Sequence, residues 1–150
     1  PGTQLLHRDV FSRGKGLFTA VEYTAPFEET DREYPLVLTT GRVLPQFHTG
    51  TMSRNSKVLE ETAPEGFVEV SPNDASDLNI NDGELVSVST RRGSIRIKAK
   101  VAQRSKHGVA FIPFHFYESC ANKLTVDCLD PVCKIPEYKV CACRVEKIVA

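Results

Sequence analysis

The sequence predicts a mainly β domain, a closed or nearly closed barrel, on three observations. Short apolar, β-branched runs recur along the chain, turn residues punctuate them at intervals of about ten residues, and only brief helix signals intervene. The chain has 150 residues, 41% of them apolar and 25% charged, which is enough to bury a core in one domain.

The first 34 residues are mixed and punctuated by Gly14 and Gly16, with an acidic run Glu28-Glu29-Thr30-Asp31 before Pro35, and read as an extended lead-in to a domain over 35–150. Leu36-Val37-Leu38-Thr39-Thr40, bounded by Pro35 and Gly41, has the make-up of a buried strand. The loop from Gly41 to Thr51, with glycine near both ends and Pro45 inside, is expected to be irregular. Gly66 to Val70 reads as a second strand. Ser71-Pro72 with Asp74 three residues after Ser71 is a helix start, and the turn residues Asn79 and Asn81-Asp82-Gly83 keep that helix short. Glu84 to Thr90 and Ile95 to Val101 alternate apolar and polar residues on either side of Arg91-Arg92-Gly93-Ser94, the pattern of a hairpin with one buried face. Gly108 to Phe114 is the next strand, and the last is expected between Tyr138 and Ile148.

Formal charge is zero, nineteen basic against nineteen acidic residues, which argues against a globally basic nucleic-acid binder. The zero is a sum of opposed blocks. Pro35 to Leu59 carries Arg42, Arg54 and Lys57 and no acid, Glu60 to Glu84 carries eight acids and no base, and Leu85 to Tyr117 carries seven bases and no acid. No run approaches the roughly 18 apolar residues of a membrane span, and no secretory signal opens the chain, so a cytoplasmic address is expected by default.

Cys120, Cys128, Cys133, Cys141 and Cys143 contain no C-x-x-C knuckle and read as small, mostly buried thiols, with Cys141 and Cys143 on one face of a strand. His7, His48, His107 and His115 have no ligand-like spacing, so each is expected to be a hydrogen-bonding or surface residue; no metal site is expected. Nucleophile-elbow, Walker, dinucleotide-fold and zinc-protease signatures are absent from the sequence. The Gly41–Thr51 loop has a different chemistry. Gly41 and Gly50 permit close backbone approach, and Arg42, Gln46, His48, Thr49 and Thr51 supply donors suited to phosphate or a planar heterocycle. A polar surface turn accounts for the same residues equally well.

The runs Leu38-Thr39-Thr40-Gly41-Arg42 and Gln46-Phe47-His48-Thr49-Gly50-Thr51-Met52-Ser53-Arg54 strongly resemble the molybdopterin-dinucleotide-binding domain at the C-terminus of molybdenum and tungsten oxidoreductases. The likeness continues through Pro64 to Val70, Asp82 to Val86, Arg91-Arg92-Gly93, Pro113 to Phe116, Ala121 to Thr125 and Asp130 to Lys139. Within that superfamily it is most similar to formate dehydrogenase alpha subunits, with nitrate reductases next. The resemblance implies a six-stranded double-psi β barrel that closes over bis(molybdopterin guanine dinucleotide) carrying molybdenum or tungsten. It also implies cofactor contacts from Thr40, Gly41, Arg42, Gln46, His48, Thr49, Phe114, Asn122, Tyr138 and Lys139, with no catalytic residue in this chain. The metal's protein ligand and the iron-sulfur cluster are expected upstream, the lead-in over 1–34 to come from a preceding domain, and the chain to be a fragment of a longer enzyme. Expected partners are the upstream domains of the same polypeptide and an electron-transfer subunit. A free-standing β-barrel module handling nucleotides or another subunit is the alternative from a different class.

Overall fold

The computed structural model describes residues 4–148. The apolar runs become six strands: β1 (Leu36–Gly41), β2 (Phe67–Val70), β3 (Leu85–Thr90), β4 (Gly93–Val101), β5 (Val109–Pro113) and β6 (Cys141–Lys147). They close into a barrel in the order β1-β5-β2-β4-β3-β6. β1 is parallel to β5 and β2 to β4, while the remaining neighbours are antiparallel. Exchanging β1, β2 and β3 with β4, β5 and β6 maps every pairing onto itself or onto another of the same sense. That internal twofold is the mark of a double-psi barrel, the architecture the resemblance implied.

Alternation along the strands fills the interior. Leu36 and Leu38, Val68 and Val70, Val86 and Val88, Ile95 and Ile97, Ala110 and Ile112, and Val145 are all buried together. Side chains of this size contribute about 2 kcal/mol each when fully buried. Cys141 and Cys143 join them, sharing the inward face of β6, and burial pushes both thiols above their ordinary range. The expectation of mostly buried thiols holds for these two only: Cys120 and Cys128 are half-buried and Cys133 is exposed.

The helix start at Ser71 forms α2 (Pro72–Asp77), where the Ser71 hydroxyl accepts from the Asp74 N–H at 3.1 Å. A second short helix, α1 (Lys57–Thr62), follows a 3₁₀ turn at Ser53–Asn55; it buries no residue and so leaves no apolar periodicity to read. The last strand starts at Cys141 rather than Tyr138, because Tyr138 still belongs to a turn, its N–H donating to the Pro136 carbonyl at 2.9 Å.

The opposed charge blocks meet in space. Parallel pairing sets Glu69 of β2 beside Lys100 of β4, and Arg104 donates to Glu69 at 2.9 and 2.6 Å. The Arg104 hydrogen bonds hold the Glu69 carboxyl below the usual carboxylate range. Lys98 bonds Glu65 at 2.7 Å.

The lead-in is irregular and exposed along most of its length, but it is tied to the barrel at Glu28. Arg92, in the β3–β4 turn, grips both Glu28 oxygens at 2.9 and 2.7 Å; Arg91 bonds Glu28 and Asp31, and the Ala142 N–H donates to Glu28 at 3.1 Å. Desolvation pushes the Glu28 carboxyl up, yet the Arg92 and Arg91 bonds and the Ala142 N–H outweigh it and bring it from 4.5 to about 2. A depressed carboxylate stabilises the fold above its unfolded value, and that contribution is lost as pH falls through the folded one. Acid titration of thermal stability is therefore expected to erode a contribution of at most about 3 kcal/mol between pH 4.5 and about 2. Glu28→Gln lacks this pH dependence. Parallel wild-type and Gln stability curves over that window would contradict it.

Candidate cofactor-binding site

β1 ends in the loop after Gly41, β5 ends at Pro113 one residue before Phe114, and their parallel pairing brings both strand ends to the same rim. Gly41 is needed there for a close approach: a Cβ would lie 2.5 Å from the Phe111 ring. The Phe114 N–H donates to the Gly41 carbonyl at 3.2 Å, fastening the two strand ends together.

On this rim lies a cleft of about 450 Å³ lined by Arg42, His48, Thr49, Phe114, Asn122, Thr125, Pro136 and Tyr138. No lining residue is acidic. Arg42 is exposed and makes no ion pair among the described residues. Below the rings, Lys139 Nζ sits 5.7 Å from the Phe114 centroid and 5.3 Å from that of Tyr138 and donates to the Thr40 carbonyl at 2.7 Å. Two of the ammonium's three protons remain for other acceptors.

Thr40 and Gln46 are placed otherwise than as lining. The Thr40 hydroxyl is buried and donates to the Tyr138 carbonyl at 2.6 Å, so Thr40 fixes the Tyr138–Lys139 segment against β1. Gln46 is buried; its amide donates to the Ala63 carbonyl at 2.9 Å and to Glu60 at 3.2 Å, and its oxygen accepts from the Ser53 hydroxyl at 2.6 Å. All its polar capacity faces inward to α1 and the 3₁₀ turn.

His115 is the residue that shapes the loop, and its isolation in the sequence gives no sign of this. The ring is buried; Nε2 accepts from the Val43 N–H at 2.9 Å, which leaves Nδ1–H to donate to the His48 carbonyl. His48 itself has φ 47° and Gly50 φ 75°, so the chain folds tightly over the imidazole. A Cβ on Gly50 would meet Arg54 Cδ at 2.7 Å and the His115 carbonyl at 3.1 Å. Arg54 in turn is bonded to both Glu60 and Glu118, at 3.0 and 2.8 Å, and is fully engaged in holding the loop. Thr125 and Pro136 also line the cleft; both lie inside family-like runs, but neither residue type by itself signals a contact.

A six-stranded double-psi barrel with an acid-free, cation-bearing cleft at one rim defines the class of the chain: a barrel whose rim presents an anion-compatible cleft. The model of the molydopterin dinucleotide binding domain matches residues 36–142, and the chain belongs to that family. It is 50% identical over 150 residues to F420-dependent formate dehydrogenase 1 subunit alpha of Methanococcus maripaludis and 48% identical over 149 residues to F420-dependent formate dehydrogenase subunit alpha of Methanocaldococcus jannaschii. These alignments cover 99% and 98% of this chain but 22% of each relative, so the chain spans about a fifth of their length. Periplasmic nitrate reductase of Desulfovibrio desulfuricans is 42% identical over 120 residues, 80% of this chain and 16% of its own. Among solved structures, acetylene hydratase from Pelobacter acetylenicus superimposes with a TM-score of 0.75 at 19% identity, over 85% of this chain and 21% of that one, a likeness of fold.

Proposed function

We propose that the chain is the cofactor-closing barrel of a formate dehydrogenase alpha subunit and holds bis(molybdopterin guanine dinucleotide) with molybdenum or tungsten. The observation that carries this reading is the donor set of the cleft: a guanidinium without an acid partner, amide and hydroxyl donors, two aromatic rings and no lining carboxylate. It fits the group. Arg42 presents a fork matched to phosphate oxygens, Thr49, Thr125 and Asn122 offer neutral hydrogen bonds, and Phe114 and Tyr138 supply flat apolar surface for a pterin. Lys139 adds positive charge from beneath the rings. Thr40, Gly41, Gln46 and His115 act one step back, holding the segments that carry these groups.

When bound, the cofactor supplies the two-electron oxidation of formate to carbon dioxide with release of a proton. The chain's own work is to bind, to orient and to keep water out. The metal's protein ligand and the iron-sulfur cluster are assigned to the rest of the polypeptide, for which the much longer relatives leave room, and a separate electron-transfer subunit completes the proposed enzyme. Formate is favoured over nitrate because identity is higher and extends over nearly the whole chain. Five free thiols fit the reducing cytoplasm. Embedding of the barrel in long relatives favours an enzyme domain over a free-standing module.

The test is formate oxidation with a dye or F420 as acceptor. Full-length enzyme is expected to turn over, and the separate 150-residue chain to give none. Turnover by the separate chain would overturn the divided labour, and a full-length enzyme that reduces nitrate but leaves formate untouched would select the nitrate reductase.

A further inference from the structure

Opposite the Arg42–Thr49 loop and Phe114, two further walls of the cleft come from separate stretches of chain. Asn122 and Thr125 flank the buried Leu124, while Pro136 and Tyr138 lie just ahead of β6. Neither wall is a regular strand, so each needs external fixing. Thr40 holds the Tyr138–Lys139 segment from β1, and the lead-in contributes to both walls.

Arg92 Nε and Nη2 donate to the Leu124 carbonyl at 3.2 and 3.1 Å, and the same guanidinium is held by Glu28. A further Glu28 contact beside those of Arg92 and Arg91, the Ala142 N–H, anchors the start of β6 directly after the Tyr138–Lys139 segment. The neighbouring Phe27 N–H reaches Glu137 at 3.3 Å, between the lining residues Pro136 and Tyr138. Glu28 itself lines no part of the cleft, and its side chain is 9% exposed.

We infer that Glu28 is a positioning residue for the cofactor cleft: one carboxylate from the lead-in fixes one wall through Arg92 and Leu124 and the other through Ala142. The inference rests on the cofactor reading of the cleft. An arginine left without its carboxylate loses the fork that aims it at Leu124, and the wall bearing Asn122 and Thr125 is freed. β6 keeps its ladder to β1 and β3, so the barrel persists while the cleft loosens.

The experiment compares Glu28→Gln, Arg92→Lys and Arg42→Ala in the full-length, cofactor-loaded enzyme, reading cofactor release by pterin fluorescence and hydrogen exchange by peptide. Glu28→Gln is expected to speed release about tenfold and to raise exchange in 121–125 and 136–142 with β2 and β4 unchanged. Arg92→Lys keeps a charge for Glu28 but drops the fork, and should open 121–125 alone. Should Glu28→Gln fail to fold, Arg92→Lys carries the test by itself. Uniformly raised exchange, or unchanged release and exchange in both variants, overturns the inference. If Arg42→Ala speeds release and the other two do not, only the Glu28 role falls; if none of the three does, the cofactor reading falls with it.

Discussion

Arg42→Ala in the full-length enzyme is expected to weaken cofactor retention by about 2 kcal/mol, roughly a 30-fold faster loss of pterin, with formate oxidation falling in step. The magnitude follows from the setting. Arg42 makes no ion pair among the described residues, and no acid lines the cleft, so its whole fork is available to a phosphate. Because the side chain is exposed and packs no core, truncation should leave thermal stability of the cofactor-free enzyme unchanged. Arg42→Lys should recover part of the retention, since charge returns without the bidentate geometry. Metal content and activity equal to wild type in Arg42→Ala would sink the assignment.

His115→Phe is expected to release the loop over 43–50 at a cost of about 2 kcal/mol, the sum of a lost donor and a lost acceptor whose backbone partners are part-exposed. Phenylalanine preserves the ring contacts with Phe114 and Phe116, at 5.0 and 6.1 Å between centroids, and so isolates the polar loss. The Val43 N–H and the His48 carbonyl would then lack their partner. Exchange in peptides covering 43–50 should rise steeply, and cofactor retention should fall because Arg42, His48 and Thr49 lose their fixed spacing. Exchange confined to wild-type levels across that loop would show that the imidazole is not what holds it.

The elements that the sequence made legible are those whose signal is local. The β3–β4 hairpin is written in Ile95, Ile97 and Ala99 alternating with basic residues, and α2 in Ser71, Pro72 and Asp74. Ring closure is not local. That β1 lies between β5 and β6 depends on partners far along the chain, which no window of sequence contains. The same limit applies to the site. Arg42, His48 and Thr49 stand out because glycines bracket a donor-rich loop, and the resemblance added Phe114, Asn122 and Tyr138, which the structure gathers in the same cleft. Gln46 looked like another donor for a ligand, yet its amide is spent on Ala63 and Glu60; side-chain direction is decided by α1, which has no apolar pattern to announce it. His115 was legible only as a hydrogen-bonding or surface residue, because a buried imidazole bridging two backbone groups has no spacing rule that names its partners.

Closure by β6 also dictates an order of events. β6 pairs with both β1 and β3, so the ring stays open until Cys141–Lys147 has left the ribosome. The parallel partner of β1 is β5, and one wall of the cleft ends at Tyr138, only a few residues ahead of β6. A nascent chain therefore has no complete cleft to offer: the first strand waits for β5 to cover one edge and for β6 to cover the other. Long-range pairing of this kind is slow and leaves strand edges open to wrong partners. The barrel matures late, and a complete cleft for the cofactor exists only once β6 has emerged.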